Sequence, residues 1–445
     1  MKFNKLKRFL PQYGGLTGKY IQQLAGSALV RVFGIVITLL YIPLLLDYLS
    51  EEKYGIWVTL ISIINWIRIF DVGLGNGLRN RLAEALALER KDQAKMLVST
   101  SYAILIAIFV SILLVMLPLN AMIDWKGVLK AQEIPAAELR MLTSISISFI
   151  LLGFILQTVT IVYAADGNSV MGGVIQLVIN VICLLLLWLA KLYALKGNLV
   201  LLATIITGVP LLVYLFYSIY VFSGKYSFMR PSFSSIDFRN SGNLFKLSWQ
   251  FFIIQITATI LYASMPFVIM RFFSPKEVTQ YNIASTIFNF PMTVVALITS
   301  PVGPLVTQAF ARNDRLWISK MLSYMKKVSW LISGGVVLMI IMSGLIYRVW
   351  IGSRVEIPFA LSVGVGLYAL SYILVNPFSV FLNSTGNVRI LVITAPLTIL
   401  TFAACCYFYT WIFHSVVSIP LAMVTANVLG LLAQAPVLRK TLQSA

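Results

Sequence analysis

The stretch FDVGLGNGLRNRLAEALALERKDQAK, from Phe70 to Lys95, sets Gly73, Gly75 and Gly77 ahead of Asp92. Glycines so spaced let a backbone close on a pyrophosphate, with an acid about twenty residues on to hold a ribose. That chemistry requires a strand before the glycines. A second anion chemistry is offered by Arg31 and Arg68, which lie in apolar sequence. An arginine inside a membrane span costs about 3 kcal/mol even on lenient scales, so it tends to face a cavity or a partner. Its planar fork suits a diphosphate. Arg68 has Asp71 three residues on, within reach for pairing on a helix, or it snorkels to the surface. Arg31 has no local acid. Cys183, Cys405 and Cys406 sit inside apolar runs and read as packing residues rather than metal ligands. The single histidine, His414, has no partner motif. No catalytic residue, metal site or cofactor is read from the chain.

The elements that must position these residues decide between the chemistries. The chain has 445 residues, 59% of them hydrophobic and 11% charged, and a mean hydropathy of +0.90. Soluble proteins carry about 25% charged residues. Continuous apolar runs of about 20 residues cross a bilayer as helices, whereas barrel strands alternate every second residue. The runs here are continuous, so the expected fold class is all-α integral membrane. Twelve spans are expected, near 25–47, 54–72, 97–119, 141–164, 170–190, 199–222, 247–270, 281–304, 328–347, 359–382, 389–412 and 415–437. The basic start, MKFNKLKRFL, reads as an arm leading into a retained helix, not a cleaved signal. With an inside N-terminus, 22 Lys/Arg fall on the cytoplasmic side and 10 on the other. That bias predicts both termini inside. The net charge of +19 then reports topology and attraction to anionic lipid, not nucleic acid. The glycine stretch follows a membrane span and not a strand, so the nucleotide reading loses. After it, Leu78, Leu82, Ala85 and Leu86 share one side of an expected interfacial helix.

The chain repeats itself. AKMLVST at 94–100 returns as SKMLSYM at 319–325, EEKYGIW at 51–57 as VTQYNIA at 278–284, and ILQTVTIVYAADGN at 155–168 as LVNPFSVFLNSTGN at 374–387. The offsets are 225, 227 and 219 residues. Six spans per unit make the repeats parallel, related by a pseudo-two-fold along the membrane normal. The expected organisation is an N-terminal bundle at 1–222, a cytoplasmic linker at 223–242 and a C-terminal bundle at 243–445. Two such bundles rocking about a central site describe a transporter. Polar stripes at helical spacing mark candidate cavity walls. They include Ser27 and Thr38 beside Arg31, then Asn65, then Lys246 with Gln250 and Thr257, then Asn282 and Asn289, then Tyr372 and Asn376. The competing reading of such stripes is glue between helices.

YGIWVTLISIINWIRIFDVGLGNGLRNRLAEAL at 54–86 resembles the second-span signature of the polysaccharide-biosynthesis (Wzx-type) flippases of the multidrug/oligosaccharidyl-lipid/polysaccharide (MOP) exporter superfamily. SALVRVFG at 27–34 is similar to the first-span pattern shared with lipid II flippases. The resemblance implies a MOP-type transporter fold, no enzyme activity and no cofactor. It further implies flipping of an undecaprenyl-pyrophosphate-linked oligosaccharide, an O-antigen or capsule repeat unit, across the bacterial inner membrane. Membrane lipids, a polysaccharide polymerase and chain-length proteins would be the partners. Arg31, Arg68 and Lys246 would bind the anionic headgroup, and Asp71 is the candidate for ion coupling. The rivals are a drug or small-solute exporter of the same superfamily and a polytopic polymerase or ligase. The polymerase predicts a large external catalytic loop.

Overall fold

The computed structural model describes residues 16–67, 74–168, 170–193, 197–238, 256–257, 259–299, 302–385 and 388–443. Among the described residues there is no strand. The first set of helices is α1 (Leu16–Tyr48), α2 (Glu51–Ile64), α3 (Leu74–Ala87), α4 (Lys91–Met122), α5 (Trp125–Val128), α6 (Ala136–Ala165), α7 (Val170–Leu192) and α8 (Leu199–Ser223). The second is α9 (Met265–Phe272), α10 (Pro275–Thr299), α11 (Val302–Ala311), α12 (Arg315–Ile341), α13 (Ser343–Trp350), α14 (Phe359–Ser384), α15 (Val388–Phe413) and α16 (Ser418–Gln443). Ten of these are long and apolar enough to cross a membrane: α1 from Leu29, α4, α6, α7, α8, α10, α12, α14, α15 from Ile390 and α16 to Thr441. Their outer surfaces carry large bare apolar side chains such as Leu331 (78% exposed) and Trp411 (69%). On helices this long and apolar, such a surface suits lipid. The chain is a multi-pass α-helical membrane protein.

The second and seventh expected spans are not among the ten and lie partly outside the described residues, at 68–72 and at 247–255 with 258. α2 has 14 residues and passes into a 3-10 turn at 65–67. Within the seventh, the helix breaks at Ser264, and Pro266 opens the eight-residue α9. Proline lacks an N–H, and the first turn of a helix is where that loss is tolerated.

Helix ends alternate between two faces. One carries the α1–α2, α7–α8, α9–α10 and α15–α16 connections. The other carries the α3–α4, α6–α7, α11–α12 and α14–α15 connections and most of the lysines and arginines, and is called the basic face below. The repeat shows in the backbone. Left-handed residues, uncommon outside glycine, recur at matching turns: Glu89 (φ 55°) with Asn313 (φ 56°), Lys130 (48°) with Gly352 (67°), and Gly197 (75°) with His414 (46°). Each pair is separated by 217 to 224 residues. α3 before α4 is likewise matched by α11 before α12.

α3 forms where its apolar stripe predicts, but that stripe does not lie on lipid. Leu78, Leu82 and Ala85 are buried, and the helix packs on α4 and α6. Gly75 and Gly77 fall inside its first turns, so they form no phosphate loop. Leu82→Ala should cost about 2–5 kcal/mol, as for other large-to-small core changes. Arg79→Ala on the exposed side should stay within about 0.5 kcal/mol. Thermal unfolding in detergent would compare the two.

The longest connection on the face opposite the basic one, 123–135, is tied down. Trp125 Nε1 and Thr143 Oγ1 each donate to Asn120 Oδ1 at 2.6 Å, and Asn120 Nδ2 donates to Ser144 Oγ at 2.8 Å. Leu129, Ala131 and Ile134 within it are buried.

Candidate functional site

The two sets of helices meet mainly through α2 with α9 and α10, and through α1 with α10. α2 and α10 both begin at the non-basic face and run side by side. Thr279 Oγ1 donates to the Glu51 carbonyl at 2.6 Å, and Tyr54 Oη donates to Asn282 Oδ1 at 2.7 Å. Gly55 makes this approach possible: a Cβ there would stand 1.9 Å from the Pro275 carbonyl oxygen. Trp350 Nε1 donates to the Leu39 carbonyl at 2.6 Å, and Lys130 Nζ to the Phe273 carbonyl. Asp47, at the end of α1, takes Lys191 at 2.7 Å and both arms of Arg354, at 2.5 and 3.2 Å. That carboxylate holds the Arg354 guanidinium firmly in its charged form. The bridge farthest from this face by sequence is an edge-to-face pair, Trp66 with Phe267, 5.4 Å between centroids. This face is sealed.

The side-chain bonds described on the basic face join residues of one set. Lys225 Nζ and Tyr226 Oη both donate to Asp166, at 2.5 and 2.6 Å. The Asp166 carboxylate beside Lys225 raises that ammonium's pKa. The segment after α8 continues as 3-10 turns at Ser227–Met229 and Phe233–Ser235. It rests on α4, where the Ser232 and Asp237 amides donate to Ser99 Oγ and Thr100 Oγ1. In the second set, Thr307 Oγ1 donates to the Ser384 carbonyl and Arg315 to the Thr441 carbonyl. Lys326 stands 4.8 Å over the Phe378 ring.

Arg31 is exposed, and among the described residues no carboxylate forms an ion pair with it. Leu29, Phe33, Val36 and Leu40 form an exposed apolar strip on the same helix. At 3.6 residues per turn, Arg31 lies about 170° from the centre of that strip. Thr38 and the buried Ile42 lie within about 40° of Arg31. The arginine therefore shares a face with residues that lead up to the seal, away from the lipid-like strip. It stands 17 residues before Tyr48, about 25 Å below the sealed face at 1.5 Å per residue. That is toward the basic end of the span, not at mid-depth.

The other expected wall residues divide. Thr38 Oγ1 donates to its own helix at Gly34. Asn65 caps α2 and is half-buried. Thr257 is buried. Asn282 belongs to the seal and not to an open wall, because Tyr54 engages its oxygen. Asn289, two turns farther on, is exposed. Asn376 Nδ2 donates to Tyr372 Oη at 3.4 Å, and Tyr372 meets Tyr262 edge-on at 6.4 Å. Arg68, Asp71, Lys246, Gln250 and the side chain of Ser27 lie outside the described residues. The sequence reading did not find Asp47, Lys191, Arg354, Gly55 or Trp350 as working residues. Their one shared signal is placement at span ends on the same face.

Solved structures share this fold. An inward-facing multidrug MATE transporter of the MOP superfamily superposes with a TM-score of 0.75, covering 92% of this chain and 95% of that one at 11% identity. An outward-facing multidrug MATE transporter of the same superfamily scores 0.67, covering 95% and 96% at 11% identity. A Vibrio cholerae MATE transporter mutant scores 0.68, covering 97% and 98% at 14% identity. The chain therefore has the MOP-superfamily transporter fold. Over 99 residues it is 32% identical to a Yersinia pseudotuberculosis protein whose name assigns it to O-antigen export. That match spans 22% of this chain and 22% of the relative's length. No family model matches.

Proposed function

We propose that the chain is a flippase that moves an undecaprenyl-pyrophosphate-linked oligosaccharide across the bacterial inner membrane by alternating access. The observation that carries this reading is the charge pattern of the spans. Arg31 presents its guanidinium on the face away from the lipid-like strip, and among the described residues no carboxylate pairs with it. The fourteen acids among the described residues all lie in connections or near helix ends. A span face with a cation and no described carboxylate favours an anionic cargo, and a diphosphate fits a guanidinium fork. The short match to the O-antigen export relative and the second-span signature support the same cargo. In this reading the basic face is cytoplasmic, the sealed face is outer, and the described state is open inward. The higher score against the inward-facing relative accords with that.

A multidrug exporter of the same fold is the second reading, favoured by the names of the solved structures. An exporter of cationic drugs would call for a carboxylate within the spans, and Asp71 is the sole acid outside the described residues. Thermal stability of the purified protein separates the two. Undecaprenyl diphosphate should raise the unfolding temperature at micromolar concentration while ethidium leaves it unchanged; the reverse pattern would overturn the flippase reading.

Orientation has its own test. Both termini should be cytoplasmic, given the 22-to-10 division of Lys/Arg. Reporter fusions after Ala445 and within 123–135 should report opposite sides of the membrane. Fusions that report the same side would refute the topology.

A further inference from the structure

We propose that Asp47 is the latch of the outer seal, a carboxylate shared between Lys191 of its own half and Arg354 of the other. The geometry divides its two partners by what they join. Lys191, near the end of α7, reaches Asp47 from the helix that packs along α1, and the separation is 2.7 Å. That bond stays inside the N-terminal half and survives any separation of the halves. Arg354 lies 307 positions away, in the segment between α13 and α14, and grips Asp47 through Nε and Nη2. Its third nitrogen, Nη1, donates to the Ile351 carbonyl at 2.8 Å, so the fork is held in place by its own half. Opening the outer face must break the Arg354 bond and leave Asp47 with Lys191.

This sharing predicts opposite effects from removing the two cations. With the face sealed, both cations crowd one carboxylate and repel each other. With the face open, Lys191 has Asp47 to itself. Removing Arg354 takes away attraction present only in the sealed state. Removing Lys191 takes away a repulsion present only in the sealed state, so the seal should tighten. The side chains are 25 to 40% exposed. Water therefore screens them, and each change should shift the sealed-to-open ratio by about two- to fivefold, the range of exposed ion pairs.

The test is distance measurement by electron–electron double resonance. Spin labels go at Met141 and Phe359, exposed residues within the first two turns of α6 and α14, in a background with the three cysteines replaced. In lipid nanodiscs, Arg354→Gln and Asp47→Asn should increase the long-distance population, and Arg354→Lys should do so less. Lys191→Gln should decrease it. The readout needs no cargo, so it stands or falls apart from the flippase reading. Opening by Lys191→Gln to the same degree as by Arg354→Gln would show a general stabilising cluster and overturn the latch. Unchanged distances in all four variants would overturn it as well.

Discussion

Gly55→Val should hold the sealed face open and reduce transport by about ten- to a hundredfold. A Cβ at position 55 would stand 1.9 Å from the Pro275 carbonyl oxygen, 2.7 Å from its carbon and 3.0 Å from its Cα. All three atoms are backbone, so no side chain can swing aside. α2 and α10 must part, and the bonds of Tyr54 to Asn282 and of Thr279 to Glu51 lie beside that contact. Overpacking a tight contact costs about 1–3 kcal/mol and at times more. Placed on one side of a two-state equilibrium, that energy shifts populations by up to about a hundredfold. Gly172→Ala is the control, since its Cβ would stand an ordinary 3.6 Å from Thr160 Cβ. Transport assays on the two variants, with the spin-label distances above, would check the result. Normal transport by Gly55→Val would show that the sealed state is not on the working cycle.

Arg31→Ala should weaken capture of the anionic headgroup by about ten- to a hundredfold, the loss of one charged hydrogen-bonding group of about 1.5–3 kcal/mol. The position near the basic end of the span suits a group that meets the diphosphate early, before the sugars pass deeper. Arg31→Lys should restore only part of the loss, because an ammonium keeps the charge but not the fork. The variant should reach the membrane in normal amount, since Arg31 holds no described partner whose loss would destabilise the fold. Isothermal titration with undecaprenyl diphosphate in detergent gives the affinities directly. Equal affinity for the Ala variant and the parent protein would reduce Arg31 to an anchor in the headgroup layer.

The fold was legible where one physical signal dominates. Long apolar runs give spans because backbone in lipid must bond to itself, and the offsets near 225 residues gave the duplication, now seen again in Glu89 and Asn313. The stripe of α3 was legible too, but not the surface it covers. An amphipathic helix shows the same pattern whether it lies on lipid or on α4 and α6. The seal was out of reach for a related reason. Asn282 and Asn289 share a stripe on one helix, yet Asn282 bonds Tyr54 from 228 positions away, and periodicity carries no record of the partner. Asp47 closes an apolar run, and nothing near it in sequence marks it as a bridging residue. Its partners, 144 and 307 positions off, are set by how the halves dock.

Translocation itself tests the central claim most directly. Purified protein is reconstituted into liposomes carrying an undecaprenyl-diphosphate-linked oligosaccharide in both leaflets, and a lectin or glycosidase outside reads the exposed fraction over time. The account predicts that the protein renders nearly all of the glycan accessible, that protein-free liposomes leave about half protected, and that Arg31→Ala falls between. Protection unchanged by the parent protein, in vesicles where it effluxes a cationic dye, would contradict it.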